Sequence, residues 1–186
     1  MILRATGAEV AAQASSGGYV GIPYSKLDCQ GFVEQVLKDL GVRKEDGTPY
    51  NWRGSNSMWR NYINWRGTID ECVQKFGRIP QGAFLFLLKN DGGEVERGYH
   101  DELGNASHVG LYLGDDAEYP CMDSQELKGS KRKNAGVSRC KLSVFNRVGL
   151  MSMIDYYNEP PPTTVSREEA LKALETLTKF IKEVTL

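Results

Sequence analysis

The order of apolar patterns along the chain predicts an α+β domain in which N-terminal helices pack on a central antiparallel β-sheet. Apolar residues at helical spacing come first, at Phe32, Val33, Val36, Leu37 and Leu40. Strand-like runs follow, "FLFLLK" and "HVGLYLG", set apart by polar, Gly-rich segments. Helix before strand, without regular alternation of the two, points away from a parallel doubly wound sheet.

Each element has a local reason. Residues 3–16 are Ala-rich and read as a short helix, stopped by Ser15-Ser16-Gly17-Gly18. "YVGIPY" is extended because Pro23 excludes a regular helix. Asp28 is placed to cap a helix over 29–40, and Gly41 supplies its stop. Residues 42–79 are polar and aromatic and read as an insertion that is helical in pieces, with Thr68 and Glu71 at capping-box spacing. "RIPQGAFLFLLKND" is a turn entering a buried strand, "DGGEVERGYHDELGN" a polar loop or hairpin, and "ASHVGLYLGDD" a second strand. Further strands are expected around 117–123, 136–144 and 146–151. Pro160, Pro161 and Pro162 make 159–165 a stiff linker. A terminal amphipathic helix over 166–186 then carries the stripe Leu171, Leu174, Leu177, Ile181 and Val184, which needs a partner surface on another domain or a second copy.

Composition narrows the function. The chain has 186 residues, 40% of them hydrophobic and 25% charged, enough for one substantial domain over 1–158 with a small appendage. A formal net charge of −1 provides no global field for nucleic acid or an acidic membrane surface. No run is long enough to span a membrane, and "MILRATGAEVAAQASSGG" has neither the charged leader nor the apolar core of a signal peptide. Cys29, Cys72, Cys121 and Cys140 are widely spaced with no Cys-x-x-Cys pair, which argues against a tetrahedral zinc site and a dense disulfide framework.

Among these thiols Cys29 has the setting of a nucleophile. It opens a helix, where unpaired N–H groups and the dipole favour a thiolate by about 0.3–1 kcal/mol at an exposed site. Gln30 and Gly31 leave room for a substrate backbone, and Asp28 opposes the thiolate unless its carboxylate turns aside to cap the helix. A nucleophile needs a base, and the chain has 2 histidines. His100 lies in a polar loop and reads as solvated, whereas His108 opens an apolar strand that would hold its ring rigidly. A hydrogen-bonded core histidine is the competing reading of His108. Asp123, in "EYPCMDSQ", is placed to orient the imidazole from a neighbouring antiparallel strand, against the alternative of a turn-initiating aspartate before Ser124.

Three segments then resemble one family. "DCQGFV" is similar to the Asp-Cys-Ser-Gly-Phe-Val signature of NlpC-type cell-wall cysteine peptidases. "SHVGLYLG" resembles that family's histidine strand, and "IPQGAFLFL" its Pro-Gly-Asp turn and strand; order and spacing agree over about 5–157. The resemblance implies a papain-like fold with Cys29 as nucleophile, His108 as base and Asp123 as third residue. It also implies Tyr24 near the oxyanion or substrate and Ser107 at the groove. The implied substrate is bacterial peptidoglycan, commonly the bond from γ-D-glutamate to a diamino acid, with no metal or organic cofactor. The chain departs from the pattern at Gln30 for Ser, at Ala83 for Asp, and at Asp123, where His, Asn or Gln is usual. Its long segment "YNWRGSNSMWRNYINWRG" would either line the groove with aromatic rings and arginines or pack through Trp52, Trp59 and Trp65.

Rival readings remain at this level: a papain-like amidase or acyltransferase on another wall bond, a catalytically inactive wall-binding module, or a zinc site from Cys29, His100, His108 and Cys121. The linker, the terminal helix and the absent leader favour a phage-lysin-like or modular wall hydrolase, made in the cytoplasm and reaching the wall later.

Overall fold

The computed structural model describes residues 4–156, apart from Glu45 and Trp52. The linker and terminal helix expected over 159–186 lie outside the described residues. The fold is mixed α/β, built on a 6-stranded antiparallel sheet.

The chain opens with β1 (Ala5–Thr6) and α1 (Gly7–Ser16). The helix starts later than its Ala-rich composition suggests because Thr6 caps it: its hydroxyl accepts the Glu9 N–H while the Glu9 carboxylate accepts the Thr6 N–H. α2 (Cys29–Asp39) follows the expected boundaries within a residue. Its apolar face, Phe32, Val33, Val36 and Leu37, is 0% exposed. Burying each such side chain stabilises the fold by roughly 1.5–3 kcal/mol. α2 packs on β4 (Asn105–Tyr112) and β5 (Cys121–Gln125), and α1 packs on α2.

Residues 42–79 supply α3 (Ser55–Asn61), β2 (Trp65–Thr68) and α4 (Ile69–Phe76). The Thr68/Glu71 capping box forms as the spacing predicted. The strand β2 was not legible in this aromatic stretch; it joins the edge of the main sheet against β7 (Arg147–Leu150). Trp59 and Trp65 pack inward: Trp59 sits on Phe86 with ring centroids 4.9 Å apart, and Trp65 meets Phe76 edge-on at 5.0 Å.

β3 (Phe84–Lys89) lies between β7 and β4, and Phe84, Leu85 and Phe86 are all 0% exposed, so the strand is covered on both faces. The expected loop or hairpin after it contains a single short turn of helix, α5 (Gly93–Glu96). β6 (Gly136–Cys140) completes the order β2-β7-β3-β4-β5-β6. A small parallel pair joins β1 to β8 (Ile154–Asp155) and ties the N-terminal segment to the end of the described chain.

Candidate active site

Asp28 has an extended backbone, and its side chain accepts the Gly31 N–H at 2.6 Å, so it serves as the helix cap. Cys29 is therefore the first residue of α2, with 8% of its surface exposed. The approach to it is fixed by two tethers. Ser124 on β5 donates its hydroxyl to the Leu27 carbonyl at 2.5 Å, which docks the start of α2 beside Asp123. Upstream, Val137 donates to the Ile22 carbonyl at 2.9 Å, holding the Pro23–Tyr24 segment against β6.

His108 arrives from β4. Ser107 interrupts the β3–β4 register: Leu87 pairs with His108 but Leu88 pairs with Ala106. Such a bulge re-aims the side chains around it, and it leaves Ser107 half-buried with its hydroxyl donating to the Leu87 carbonyl at 3.2 Å. Past the bulge, Val109 and Leu111 are fully buried, while His108 and Gly110 share the opposite face.

Asp123 lies inside β5, directly across from Gly110, and so falls diagonally beside His108 on that face. It is not a turn residue. His108 Nε2 and Asp123 Oδ2 are 2.7 Å apart, with the imidazole N–H donating and the carboxylate accepting. Asp123 is 0% exposed and His108 6%. Phe145 stacks on the imidazole, the rings 4° from parallel and 5.6 Å apart. Only a residue without a side chain fits between these groups. A Cβ at Gly110 would lie 2.6 Å from the Phe145 ring, 2.8 Å from the Met122 carbonyl oxygen and 3.0 Å from the Asp123 Cβ.

The second oxygen of Asp123 is held by Arg132, which also donates to the Gly136 carbonyl at 2.7 Å. The three side chains His108, Asp123 and Arg132 are exposed by only 8%, 0% and 2%.

Tyr24 neighbours Cys29 and shares a cleft with His108. It lies close enough to the Cys29 thiol to feel its charge, and it lines an open cleft of about 380 Å³ together with Ser107 and His108. Burial of the ring raises the Tyr24 pKa above the ordinary tyrosine value, and the nearby charges of Cys29 and Asp28 add to this. The phenol therefore keeps its proton and remains a donor. A second cleft of about 540 Å³ shares Tyr24 and Glu126 with the first and continues along Gly21, Pro23 and Gly136. A third cavity, of about 370 Å³, lies between Tyr50, Tyr62 and Met151 and is lined by neither cysteine nor histidine.

The structure thus brings together Tyr24, Ser107, His108 and Asp123, with Cys29 beside Tyr24. His100 is exposed in a loop away from this cluster, and Cys121 is 0% exposed in β5. Among the described residues no three His, Cys, Asp or Glu side chains are grouped so as to hold a metal ion, so the four-residue zinc reading has no geometric basis. Of the remaining thiols, burial pushes Cys72 up to about 11 and Cys121 and Cys140 higher still. They are inert core residues beside Cys29. Among the described residues no helix is long and apolar enough to cross a membrane.

Sequence reasoning missed Ser124, Arg132, Gly110 and Phe145. Arg132 lies in "KGSKRKN", a basic stretch between two expected strands in which nothing distinguishes one cation from its neighbours.

Comparison with family models, with curated proteins and with solved structures finds no match to this chain. The chemistry of the site therefore rests on its own geometry.

Proposed function

We propose that the protein is a papain-like cysteine peptidase that hydrolyses peptide bonds in bacterial peptidoglycan stem peptides, with Cys29 as nucleophile, His108 as base and Asp123 as orienting residue. The observation that carries this reading is the 2.7 Å bond from His108 Nε2 to Asp123. It fixes the proton on Nε2 and leaves Nδ1 as the ring nitrogen free to take a proton from the thiol. The similarity of "DCQGFV", "IPQGAFLFL" and "SHVGLYLG" to the NlpC-type segments supports the choice of cell-wall substrate.

In this mechanism the Cys29 proton passes to His108 Nδ1, and the thiolate attacks the scissile carbonyl. The Cys29 backbone N–H at the head of α2 and the Tyr24 hydroxyl stabilise the oxyanion. The imidazolium then gives its proton to the leaving amine, and water deprotonated by His108 releases the acyl group. The cleft also suits a peptide bearing both a carboxylate and an amine. Lys89 closes it on the β3 side and Glu126 on the β5 side, and neither has an ion-pair partner among the described residues. Two strand spacings separate those sides, roughly 10 Å. A γ-D-glutamyl residue followed by a diamino acid presents charges of these signs.

The test is digestion of purified peptidoglycan with mass analysis of the new termini. Wild type should expose new diamino-acid amines, and Cys29→Ala should lower the rate by about 10⁴-fold or more. A rate equal to wild type in Cys29→Ala would rule the mechanism out. New termini at an amide other than the γ-D-glutamyl bond would point to the amidase alternative.

A further inference from the structure

We propose that Arg132 is a positioning residue for the Cys29–His108 pair: its guanidinium cancels the charge of Asp123, so the buried carboxylate orients the His108 ring without locking it in the charged form. The proposal rests on the reading that Cys29 and His108 work together.

The three side chains form a line in which Asp123 uses Oδ2 for His108 and Oδ1 for Arg132. All three are withdrawn from solvent. A buried carboxylate facing an imidazole alone would strongly favour the imidazolium, because little water screens the attraction. A general base must both accept and release a proton, so such a lock would work against it. A cation on the far oxygen of the same carboxylate removes most of that field at the ring. What remains is a directed acceptor for the Nε2 proton.

Arg132 is held through its two terminal nitrogens, while its buried Nε has no hydrogen-bond partner. Its second hydrogen bond is donated to the carbonyl of Gly136, a glycine at φ 73 whose Cβ, if present, would lie 2.3 Å from the Ile22 carbonyl oxygen. Ile22 in turn belongs to the segment that carries Tyr24. The arginine is thus pinned by the same contacts that build the nucleophile side of the cleft.

The other titratable groups around the line are Cys29 at the head of α2, Tyr24 beside it, and Cys140 on β6 near the guanidinium. Tyr24 keeps its phenol proton, and burial raises the Cys140 thiol so far that it stays neutral. Glu126 and Lys89, of opposite charge, are both exposed at the rims of the cleft that His108 lines. Arg132 is therefore the one buried cation facing Asp123 among the described residues.

The experiment follows the ring resonances of His108 against pH in a His100→Gln background, where it is the single histidine, together with Cys29 alkylation by iodoacetamide. In Arg132→Gln the ring should hold its proton about tenfold more tightly than in the parent. In Asp123→Asn, where the arginine is unopposed, the transition should move to lower pH. The double variant Asp123→Asn/Arg132→Gln should return to within about threefold of the parent. Where Arg132→Gln alone fails to fold, the double variant set against Asp123→Asn makes the same comparison. Single variants sharing the parental transition, or a double variant that coincides with Asp123→Asn, would overturn the proposal. Parental Cys29 should be alkylated rapidly at neutral pH, and slow alkylation would overturn the pair on which the proposal rests. Fast alkylation with an unmoved ring would remove the role of Arg132 alone.

Discussion

Two arginine–aspartate pairs bracket the first half of β4, and they are put to different uses. Arg60 binds Asp101 through two N–H groups at 2.7 Å each, and also reaches the Asn56 side chain and the Gly104 carbonyl, both at 2.8 Å. Asn56 then accepts the Ala106 N–H and donates to Asn105, so the whole cluster fastens α3 to the start of the strand. Asp101 keeps 38% of its side chain in solvent. The pair Arg132–Asp123 is sealed, and one carboxylate oxygen is spent on an imidazole that lines a cleft. A saturated arginine with a half-wet partner makes a fastening. A sealed pair that shares its carboxylate with a histidine is suited to a site, because in the proposed mechanism its charge balance is felt by a group that changes protonation.

Removing each arginine in turn separates the two uses. Arg132→Gln leaves a buried carboxylate unpaired and should cost about 3–5 kcal/mol of stability. Catalysis per folded molecule should fall with it. Arg60→Met should cost about 2–3 kcal/mol, since it loses charge-assisted hydrogen bonds near the surface. Its catalytic rate per folded molecule should stay within about twofold of wild type. Urea unfolding measures the first, and peptidoglycan cleavage per molecule with an alkylatable Cys29 measures the second. A large catalytic loss in folded Arg60→Met would erase the distinction.

A smaller effect is expected one step from the thiol. Tyr24→Phe keeps the ring and deletes the hydroxyl, so kcat should fall with KM little changed, by about a hundredfold, the lower end of the loss for one oxyanion donor, because the Cys29 backbone N–H remains. A change confined to KM would instead make Tyr24 a substrate contact.

The surface pair also has a pH signature. Hydrogen bonds from Arg60 hold the Asp101 carboxyl below its usual range, and those from Arg139 do the same for Asp115. A depressed carboxylate stabilises the fold above its unfolded value, about 4, and that contribution is lost as pH falls through the lower folded value. Tm should therefore be level from pH 7 to about 5 and fall below about 4. Arg60→Met should flatten part of that fall. The smallest change is expected at the exposed cleft charges: Lys89→Gln and Glu126→Gln should each raise KM by a few-fold at low salt, roughly 0.5–1 kcal/mol, and less at high salt.

What was legible in the sequence follows from range. The boundaries of α2, the Asp28 cap and the Thr68/Glu71 box depend on contacts a few residues apart, and the structure has them where the spacing places them. The apolar strand after His108 set that ring on a rigid element, and the next strand set Asp123 across from Gly110. The partners of that aspartate were not legible, because they come from elsewhere in the chain. Arg132 looks like its basic neighbours until β6 turns it inward, and Phe145 meets His108 from 37 positions away by the numbering of the two residues. β2 was hidden for a related reason: its four residues pair with a strand from the far end of the described chain. Asp123 itself, unusual beside the His, Asn or Gln of the resembled family, finds its physical account only with Arg132 in view.

The most direct measurement is the release of new amino termini from purified peptidoglycan by wild type and Cys29→Ala. The account predicts stem-peptide cleavage by wild type at the γ-D-glutamyl bond and none measurable from the variant, with both proteins equally folded. Equal cleavage by the two, or intact stem peptides after exposure to a wild type whose Cys29 alkylates rapidly, would contradict it.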